Sequence, residues 1–214
     1  MVQLNEVNAF GYGFFLYSPD VLTEFLKAEK CRARKLCTYF DKNKDVFYKA
    51  IESGVILPVY KICAFKYAIF VSINEGNIPA PDGWEEVFKY DDFFIRVGNS
   101  NKLCWASFDY HEDHMEPIEK RPTASCKIRQ HGFPGVMLPS YDAVDADIPQ
   151  GNYKFDLIGY KRIKPLDESI QKNANKNYAY GYHFRSTEST QNENFYKADN
   201  EKSEFDIHHY LSGK

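Results

Sequence analysis

The sequence predicts a mainly β protein of the α+β class, an antiparallel β-sandwich with one or two N-terminal helices packed on it. Its 16 Tyr and 17 Phe favour strands, and aromatic residues make up 16% of the chain. From Val55 onward apolar residues recur with a period of two, whereas apolar residues at helical spacing occur before Gly54. We therefore expect a single domain over 1–214, with a strand and helical unit (1–54), a sandwich core (55–184) and a polar tail (185–214).

Two N-terminal segments have the features of helices. At the first, Ser18 can cap the helix, Pro19 suits the first helical position and Asp20 complements the dipole. The apolar spacing that follows predicts a helix over about 19–30. A second amphipathic segment runs over 44–53 and stops at the glycine that follows.

The rest of the chain reads as strands separated by turns. The turn over 98–101 predicts a hairpin between its two flanking strands. The polar, acidic segment 111–122 and the polar segment 185–204 are predicted loops, and 205–211 is expected to dock back as a terminal strand or turn. The predicted strands are 56–62, 64–73, 93–97, 103–110, 125–130, 152–164 and 178–184.

Composition excludes a collagen-like, a coiled-coil and a wholly disordered chain. Hydrophobic residues at 43% and charged residues at 27% are ordinary for a globular domain. The N-terminus lacks the basic segment followed by an apolar one that marks a signal peptide. The most apolar window (63–73) is shorter than the ~20 residues of a membrane helix. We therefore expect a cytoplasmic protein without a membrane partner. Five cysteines without a CxxC pair predict free thiols rather than disulfides or a zinc ribbon.

The net charge of −3 hides a strong asymmetry along the chain. Residues 27–49 hold eight basic and three acidic side chains, whereas residues 75–119 hold eleven acidic and three basic ones. An acidic middle makes nucleic acid an unlikely ligand and favours a cationic partner.

Aromatic residues interleave with these acids, which suits a surface that covers a cationic groove. Tyr and Trp supply desolvated anchors, and carboxylates speed the encounter with a basic protein. The sequence therefore predicts a bacterial immunity-type or inhibitor protein, without catalysis or cofactor, that neutralises a cationic toxin or nuclease. The predicted partner-binding residues, placed on loops, are Asp82, Trp84, Glu85, Glu86, Tyr90, Asp91, Asp92, Tyr110, Glu112 and Asp113.

Two other functions stay open at this stage. His111, Asp113 and His114 offer imidazole and carboxylate ligands to a divalent metal, which would make the protein a metal-dependent hydrolase. Against this, histidines three residues apart converge only on a helix, and Pro117 would end that helix quickly. The aromatic-rich β content also suits a structural or assembly subunit of a bacterial or phage particle. No GxSxG, GxxxxGK[ST] or GxGxxG motif occurs.

The segment Ile148–Leu157 (IPQGNYKFDL) carries a family resemblance. An apolar-Pro-x-Gly-x-Tyr turn leading into an alternating strand, after a long β-rich region, resembles small bacterial immunity and inhibitor proteins of the competence-protein-J type, which inhibit a DNA-entry nuclease. The resemblance implies a β-sandwich that binds and silences a nuclease or toxin, and it carries over no catalytic residue.

Overall fold

A computed structural model describes residues 1–76, 78–130, 137–164, 179–189 and 205–212. These residues form two β-sheets and a layer of helices. The elements in chain order are β1 (Val2–Gln3), β2 (Val7–Asn8), β3 (Gly13–Tyr17), α1 (Pro19–Ala28), α2 (Leu36–Lys42), α3 (Lys44–Glu52), β4 (Ile56–Tyr60), β5 (Lys66–Ile73), β6 (Trp84–Val97), β7 (Lys102–Ser107), α4 (Phe108–Asp113), a 3-10 turn (Ile118–Lys120), β8 (Ser125–Gln130), β9 (Met137–Asp147), β10 (Gly151–Arg162), β11 (Tyr180–Ser189) and α5 (Ile207–Ser212).

The strands divide between two sheets. Sheet 1 has the order β1-β5-β11-β10-β6, with β2 also paired to β5, and sheet 2 has the order β4-β3-β7-β9-β8. The pairs are antiparallel except for β5 and β11, which are parallel. The predicted sandwich is therefore confirmed, with one parallel pair inside a mainly antiparallel arrangement.

Sheet 2 is buried on both faces, which explains the unbroken apolar run of β3. Side chains alternate along a strand, so Phe14 and Leu16 face the core between the sheets while Phe15 and Tyr17 face the helices. The helix layer, sheet 2 and sheet 1 thus form three successive layers. The N-terminal helices pack on the sandwich as predicted.

The helices differ from the prediction in detail. Helix α1 begins at Pro19, but the Ser18 side chain makes no capping bond to it; instead Ser18 Oγ donates to Asp20 (2.8 Å) and accepts from the Gly98 N–H (3.1 Å). Helix α2 was not predicted, because only its Leu36 and Phe40 are buried and seven residues give little periodicity.

Three predicted segments take another form. Residues 108–113 form α4 rather than a strand end and loop, because Ser107 Oγ accepts from the Tyr110 N–H and so starts a helix. Residues 185–189, predicted as loop, continue β11 and pair with β10. The C-terminal segment is helix α5 rather than a strand or turn. Tyr178 and residues 190–204 of the predicted segments lie outside the described residues.

The five cysteines are free thiols, of which Cys104 is buried and Cys126 is exposed. Within the described part of the chain, no helix has the length and apolar character needed to cross a membrane.

Candidate functional site

Most of the predicted acidic surface lies on β6, the edge strand of sheet 1, rather than on loops. The strand is 14 residues long and pairs with β10 through two irregularities in register, with Asp92 in the left-handed region (φ 72°) near the first. The side chains of Glu85, Asp91 and Asp92 are 54%, 55% and 58% exposed. Their carboxylates are therefore accessible to a partner.

Lysines neutralise much of this acidic edge. Lys161 pairs with Glu85 at 3.1 Å, and Lys154 pairs with Asp92. Two further lysines, Lys89 and Lys164, pair with Asp91 and Asp82, both at 2.5 Å. The sequence could not show most of these pairs, because Lys154, Lys161 and Lys164 lie on or just after β10, more than 60 residues from the acids they contact. Exposed ion pairs contribute little free energy, so a basic partner can compete for these carboxylates.

The aromatic residues predicted beside these acids are not exposed anchors. Trp84 is only 6% exposed, lying edge-on to Phe70 (5.3 Å between centroids) with the Arg162 guanidinium over its ring at 4.5 Å. Tyr90 is half-buried, and its hydroxyl is hydrogen-bonded to that of Tyr210 on α5. Both rings pack in the sandwich, and Trp84 offers almost no surface to a partner, whereas a contact between Tyr90 and a partner stays a prediction.

The remaining predicted contact residues lie in a different layer. Tyr110 is fully buried on α4 and donates its hydroxyl proton to the Pro122 carbonyl (2.6 Å). Glu112 accepts from the Thr38 N–H and hydroxyl (3.0 and 2.8 Å), and Asp113 pairs with Lys127 at 3.4 Å. Because β7 turns directly into α4 on the helix side of sheet 2, these residues do not share a surface with β6. The prediction of one continuous surface is therefore wrong.

The alternative metal site does not form either. Asp113 forms an ion pair with Lys127, and His114 Nδ1 contacts a Glu116 carboxylate oxygen at 3.2 Å. His111 is fully buried among Phe15 and other rings. In the described ranges, no three His, Cys, Asp or Glu side chains are grouped as metal ligands would be. The predicted set of His111, Asp113 and His114 is corrected accordingly.

His111 is a buried neutral imidazole in an aromatic cage. The rings of Phe15, Tyr17 and Tyr110 each lie with their centroids 5.3 Å from the imidazole, and neither ring nitrogen has a hydrogen-bond partner. Burial, aided by the nearby Arg121 charge, lowers the pKa of His111 to about 3. Such a group cannot act as a general base on a solvent-borne substrate, since nothing reaches its nitrogens.

Three aromatic side chains that the sequence did not single out are exposed at one end of the sandwich. Phe10, Tyr12 and Phe65 are 39%, 64% and 42% exposed. Their two loops are joined by hydrogen bonds from the Ala9 N–H to the Phe65 carbonyl (2.9 Å) and from the Ile62 N–H to the Tyr12 carbonyl (3.3 Å). We call Phe10, Tyr12 and Phe65 the aromatic end.

The backbone of the aromatic end is locally strained. Tyr12 and Lys61 both have left-handed φ angles, 64° and 58°. Non-glycine residues adopt this conformation uncommonly and at a cost that is often found at functional sites. The signal in the sequence was Phe10–Gly13 (FGYG), a turn that presents rings between glycines. At Gly13 a Cβ would lie 2.4 Å from Phe108 Cε2, so glycine is required there by α4.

Strand register places the aromatic end and the start of β6 at the same end of sheet 1. Tyr67, Tyr180, Lys161 and Glu85 are successive partners across four neighbouring strands. Phe65 precedes this row and contacts the Tyr180 ring at 5.6 Å. With strands about 4.8 Å apart, Glu85 lies roughly 15 Å from the aromatic end. Exposed rings and carboxylates therefore fit within one standard protein interface.

Comparison with known proteins returned one structural match. No protein-family model matches the chain, and no curated protein matches it. Among solved structures the chain is similar to ComJ, inhibitor of the DNA degrading activity of NucA, from Bacillus subtilis. That match has a TM-score of 0.41 and 11% sequence identity, and it covers 88% of this chain and 96% of the other.

Proposed function

We propose that this protein is a non-catalytic inhibitor or immunity-type protein that neutralises a cationic toxin or nuclease. The observation that supports the proposal is the exposure of Phe10, Tyr12 and Phe65 on two joined loops at one end of the sandwich, with accessible carboxylates at the start of β6 three strands away at the same end of sheet 1. Exposed aromatic side chains on a structured loop are the usual energetic anchors of a protein interface.

The exposed carboxylates at and just before the start of β6 belong to Asp82, Glu85 and Glu86, with Glu85 and Glu86 on opposite faces of this edge strand. Asp82 is 88% exposed on its side chain, Glu85 is held only by a surface ion pair, and no cation lies within 4.0 Å of Glu86 among the described residues. A basic groove that displaces Lys164 and Lys161 would gain these carboxylates while burying the rings. Charges at the rim would set the association rate, and rings at the centre would set the dissociation rate.

The proposal is tested by titrating the protein against a cationic nuclease or toxin whose gene neighbours its own. Two variants divide the surface: Tyr12→Ala with Phe65→Ala removes the rings, and Glu85→Lys with Glu86→Lys reverses the charges. We expect the ring variant to weaken binding by about 30-fold or more through faster dissociation. The charge variant should slow association and reduce its dependence on salt.

Glu24→Lys is the matched control for the charge variant, because Glu24 is exposed on α1 in the helix layer. It should leave both rate constants within about twofold of the parent protein. Unchanged affinity for the effector in both test variants would remove the aromatic end and the start of β6 as the binding surface.

A further inference from the structure

A second site, independent of the proposed inhibitor surface, lies in the helix layer. A cleft of about 340 Å³ opens between the end of α1, the connector between α1 and α2, and the segment around the 3-10 turn. Two residues after the end of α1, Lys30 has a left-handed φ angle of 53°. The Cys31 N–H then donates back to the Leu26 carbonyl at 2.8 Å. This turn directs the connector, with Arg32 and Arg34, along the cleft.

Arg121 is buried between the two walls of the cleft. Its Nη2 donates to the Arg34 carbonyl (2.7 Å) and its Nε donates to the Glu116 carbonyl (2.9 Å), so the guanidinium holds the walls together. The residue is only 7% exposed, and Nη1 has no hydrogen-bond partner. In the described part of the chain no carboxylate lies within 4.0 Å of this guanidinium, and the charge of the nearby Glu116 acts on it only from beyond that distance.

A second lining residue also lacks a partner. Thr23, on α1, is 7% exposed, and its hydroxyl oxygen is buried with no hydrogen bond. Buried polar groups in proteins are nearly always satisfied, and a buried unpaired charge is costlier still. A cleft lined by two such groups is therefore suited to a ligand that accepts hydrogen bonds and carries negative charge.

The mouth of the cleft is cationic. Lys27, Arg32 and Arg34 line it and are exposed. Two acids also line it, but Glu116 already contacts His114 Nδ1 (3.2 Å) and Glu119 lies 4.0 Å from Lys27 Nζ. With Arg121 included, four cations face two carboxylates, so the cleft is net positive.

We propose that this cleft binds the phosphate group of a small phosphate ester, with Arg121 and Thr23 as hydrogen-bond donors and Arg32 and Arg34 as the cations that draw it in. Guanidinium groups match the geometry of phosphate oxygens, and a phosphate monoester carries up to two negative charges. A cleft of about 340 Å³ lies at the small end of ligand sites, which suits a ligand the size of a sugar phosphate.

The test uses the full chain and three probes: ribose 5-phosphate, inorganic phosphate and ribose. Isothermal titration calorimetry at low ionic strength should give saturable binding of ribose 5-phosphate with a Kd of about 1 mM or tighter, weaker binding of inorganic phosphate, and none of ribose. The absence of saturable ribose 5-phosphate binding at about 10 mM would overturn the proposal. Equal affinities for inorganic phosphate and the ester would contradict the assignment of an ester.

Variants locate the binding. Arg32→Gln with Arg34→Gln removes two exposed charges and should weaken ribose 5-phosphate binding at least about tenfold while the protein stays folded. Thr23→Val, which keeps the side-chain shape, should also weaken it. The control, Lys42→Gln with Lys61→Gln, removes two exposed charges outside the cleft and should leave the affinity unchanged. Equal losses in the control and the cleft variants would show a diffuse ionic effect and refute the site.

Failure of this proposal leaves the inhibitor proposal unaffected, and the reverse also holds. The cleft lies in the helix layer. Sheet 2 separates this layer from sheet 1 and from the core between the two sheets. The calorimetric test with ribose 5-phosphate requires no effector protein, and the effector titration requires no phosphate.

Discussion

At the scale of single residues, glycines show how backbone and packing act together. Gly54 and Gly76 both have left-handed φ angles, 64° and 67°, which side chains adopt only with strain. A Cβ at Gly54 would lie 2.4 Å from Phe94 Cδ1, whereas a Cβ at Gly76 would meet nothing within 4 Å. Alanine substitutions at the two glycines therefore separate the cost of backbone strain from the cost of overpacking.

We predict that Gly54→Ala destabilises the protein more than Gly76→Ala does. Gly76→Ala should cost about 1 kcal/mol from the left-handed backbone alone. Gly54→Ala should add about 1–3 kcal/mol, because β6 and the end of α3 must move apart around Phe94. Urea unfolding of the two variants measures the difference, and equal costs would contradict the packing account.

His111 predicts a pH dependence of stability. Burial lowers its pKa in the folded protein to about 3, whereas an unfolded histidine titrates near 6.5. Between these values the unfolded chain binds more protons than the folded one, so stability is complete above about pH 6.5 and is lost as the pH falls. From pH 7.5 to 5.5 this one group should cost about 1 kcal/mol.

His111→Leu should remove that loss. Leucine is close in volume to histidine and leaves no unpaired nitrogen in the aromatic cage of Phe15, Tyr17 and Tyr110. We expect a smaller fall in unfolding free energy between pH 7.5 and 5.5, measured by urea denaturation at each pH. Burial also lowers the pKa of His183, to about 4, so part of the slope should persist. Parallel curves for parent and variant would exclude His111 as the source.

At the scale of elements, a carboxylate joins α1 to the turn that connects β6 in sheet 1 to β7 in sheet 2. Asp20 accepts from the Ser100 N–H and hydroxyl (2.9 and 2.8 Å) and from the Ser18 hydroxyl (2.8 Å). Burial opposes ionisation of Asp20, but the hydrogen bonds from Ser100 and Ser18 outweigh it and lower its pKa. The sequence predicted the start of α1 and the turn over 98–101, but not their contact across 80 residues. Its prediction of a hairpin at that turn is wrong, because β6 pairs with β10 in sheet 1 whereas β7 pairs with β3 and β9 in sheet 2.

We predict that Asp20→Ala destabilises the protein by about 1–3 kcal/mol, since three hydrogen bonds to a charged acceptor are lost. Glu24→Ala, on the exposed side of the same helix, should stay within about 0.5 kcal/mol of the parent. Because the pKa of Asp20 is lowered on folding, its contribution is present above about pH 4 and is lost as the pH falls below that. Thermal unfolding at pH 7 and pH 2.5 checks both statements. If Asp20→Ala lowers the stability by the same amount at both pH values, the ionised Asp20 carboxylate is not the source of the stabilisation.

Strand β6 shows why a surface predicted to be strongly acidic is largely neutralised in the structure. Acids at Glu85, Asp91 and Asp92 do reach the surface, as their sequence context predicted. Their neighbouring cations, Lys161 and Lys154, come from β10 through antiparallel pairing. Counting charge along the chain therefore overstates the negative potential, because sheet pairing brings distant lysines within contact of these acids.

At the scale of the whole molecule, sheet 2 couples the two hydrophobic cores. Phe14 and Leu16 belong to the core between the sheets, while Phe15 and Tyr17 belong to the core under the helices. Neither core can open without disrupting the same strand. This coupling supports the proposal of a single domain over the described residues.

We predict that the protein unfolds in one cooperative transition. Tryptophan fluorescence reports on the two buried tryptophans: Trp105, between the sheets and 5.5 Å from the Phe184 ring, and Trp84, packed on Phe70 in sheet 1. Far-ultraviolet circular dichroism at 222 nm reports mainly on the helix layer beyond sheet 2. The two urea transitions should coincide in midpoint and slope. A helical transition that precedes the fluorescence change would instead indicate two separately stable units.

The sequence by itself determined the class of fold and many of its elements. Aromatic content, the two-residue period after Val55 and the cap-like start at Pro19 reflect local preferences that need no long-range contact. These signals correctly predicted a sandwich with N-terminal helices, strand β10 and helix α1. They failed at α4 and α5, each of six residues, because so short a segment has no helical period of its own.

Only the tertiary structure decided which side chains meet. It buried Trp84 and Tyr110, exposed Tyr12 and Phe65, and separated Glu112 and Asp113 from β6 by a whole sheet. It also brought the unpaired groups of Thr23 and Arg121 to one cleft across nearly 100 residues of chain. Burial and pairing depend on packing between distant segments, and a strand's residue pattern does not state which face or which neighbour it will meet.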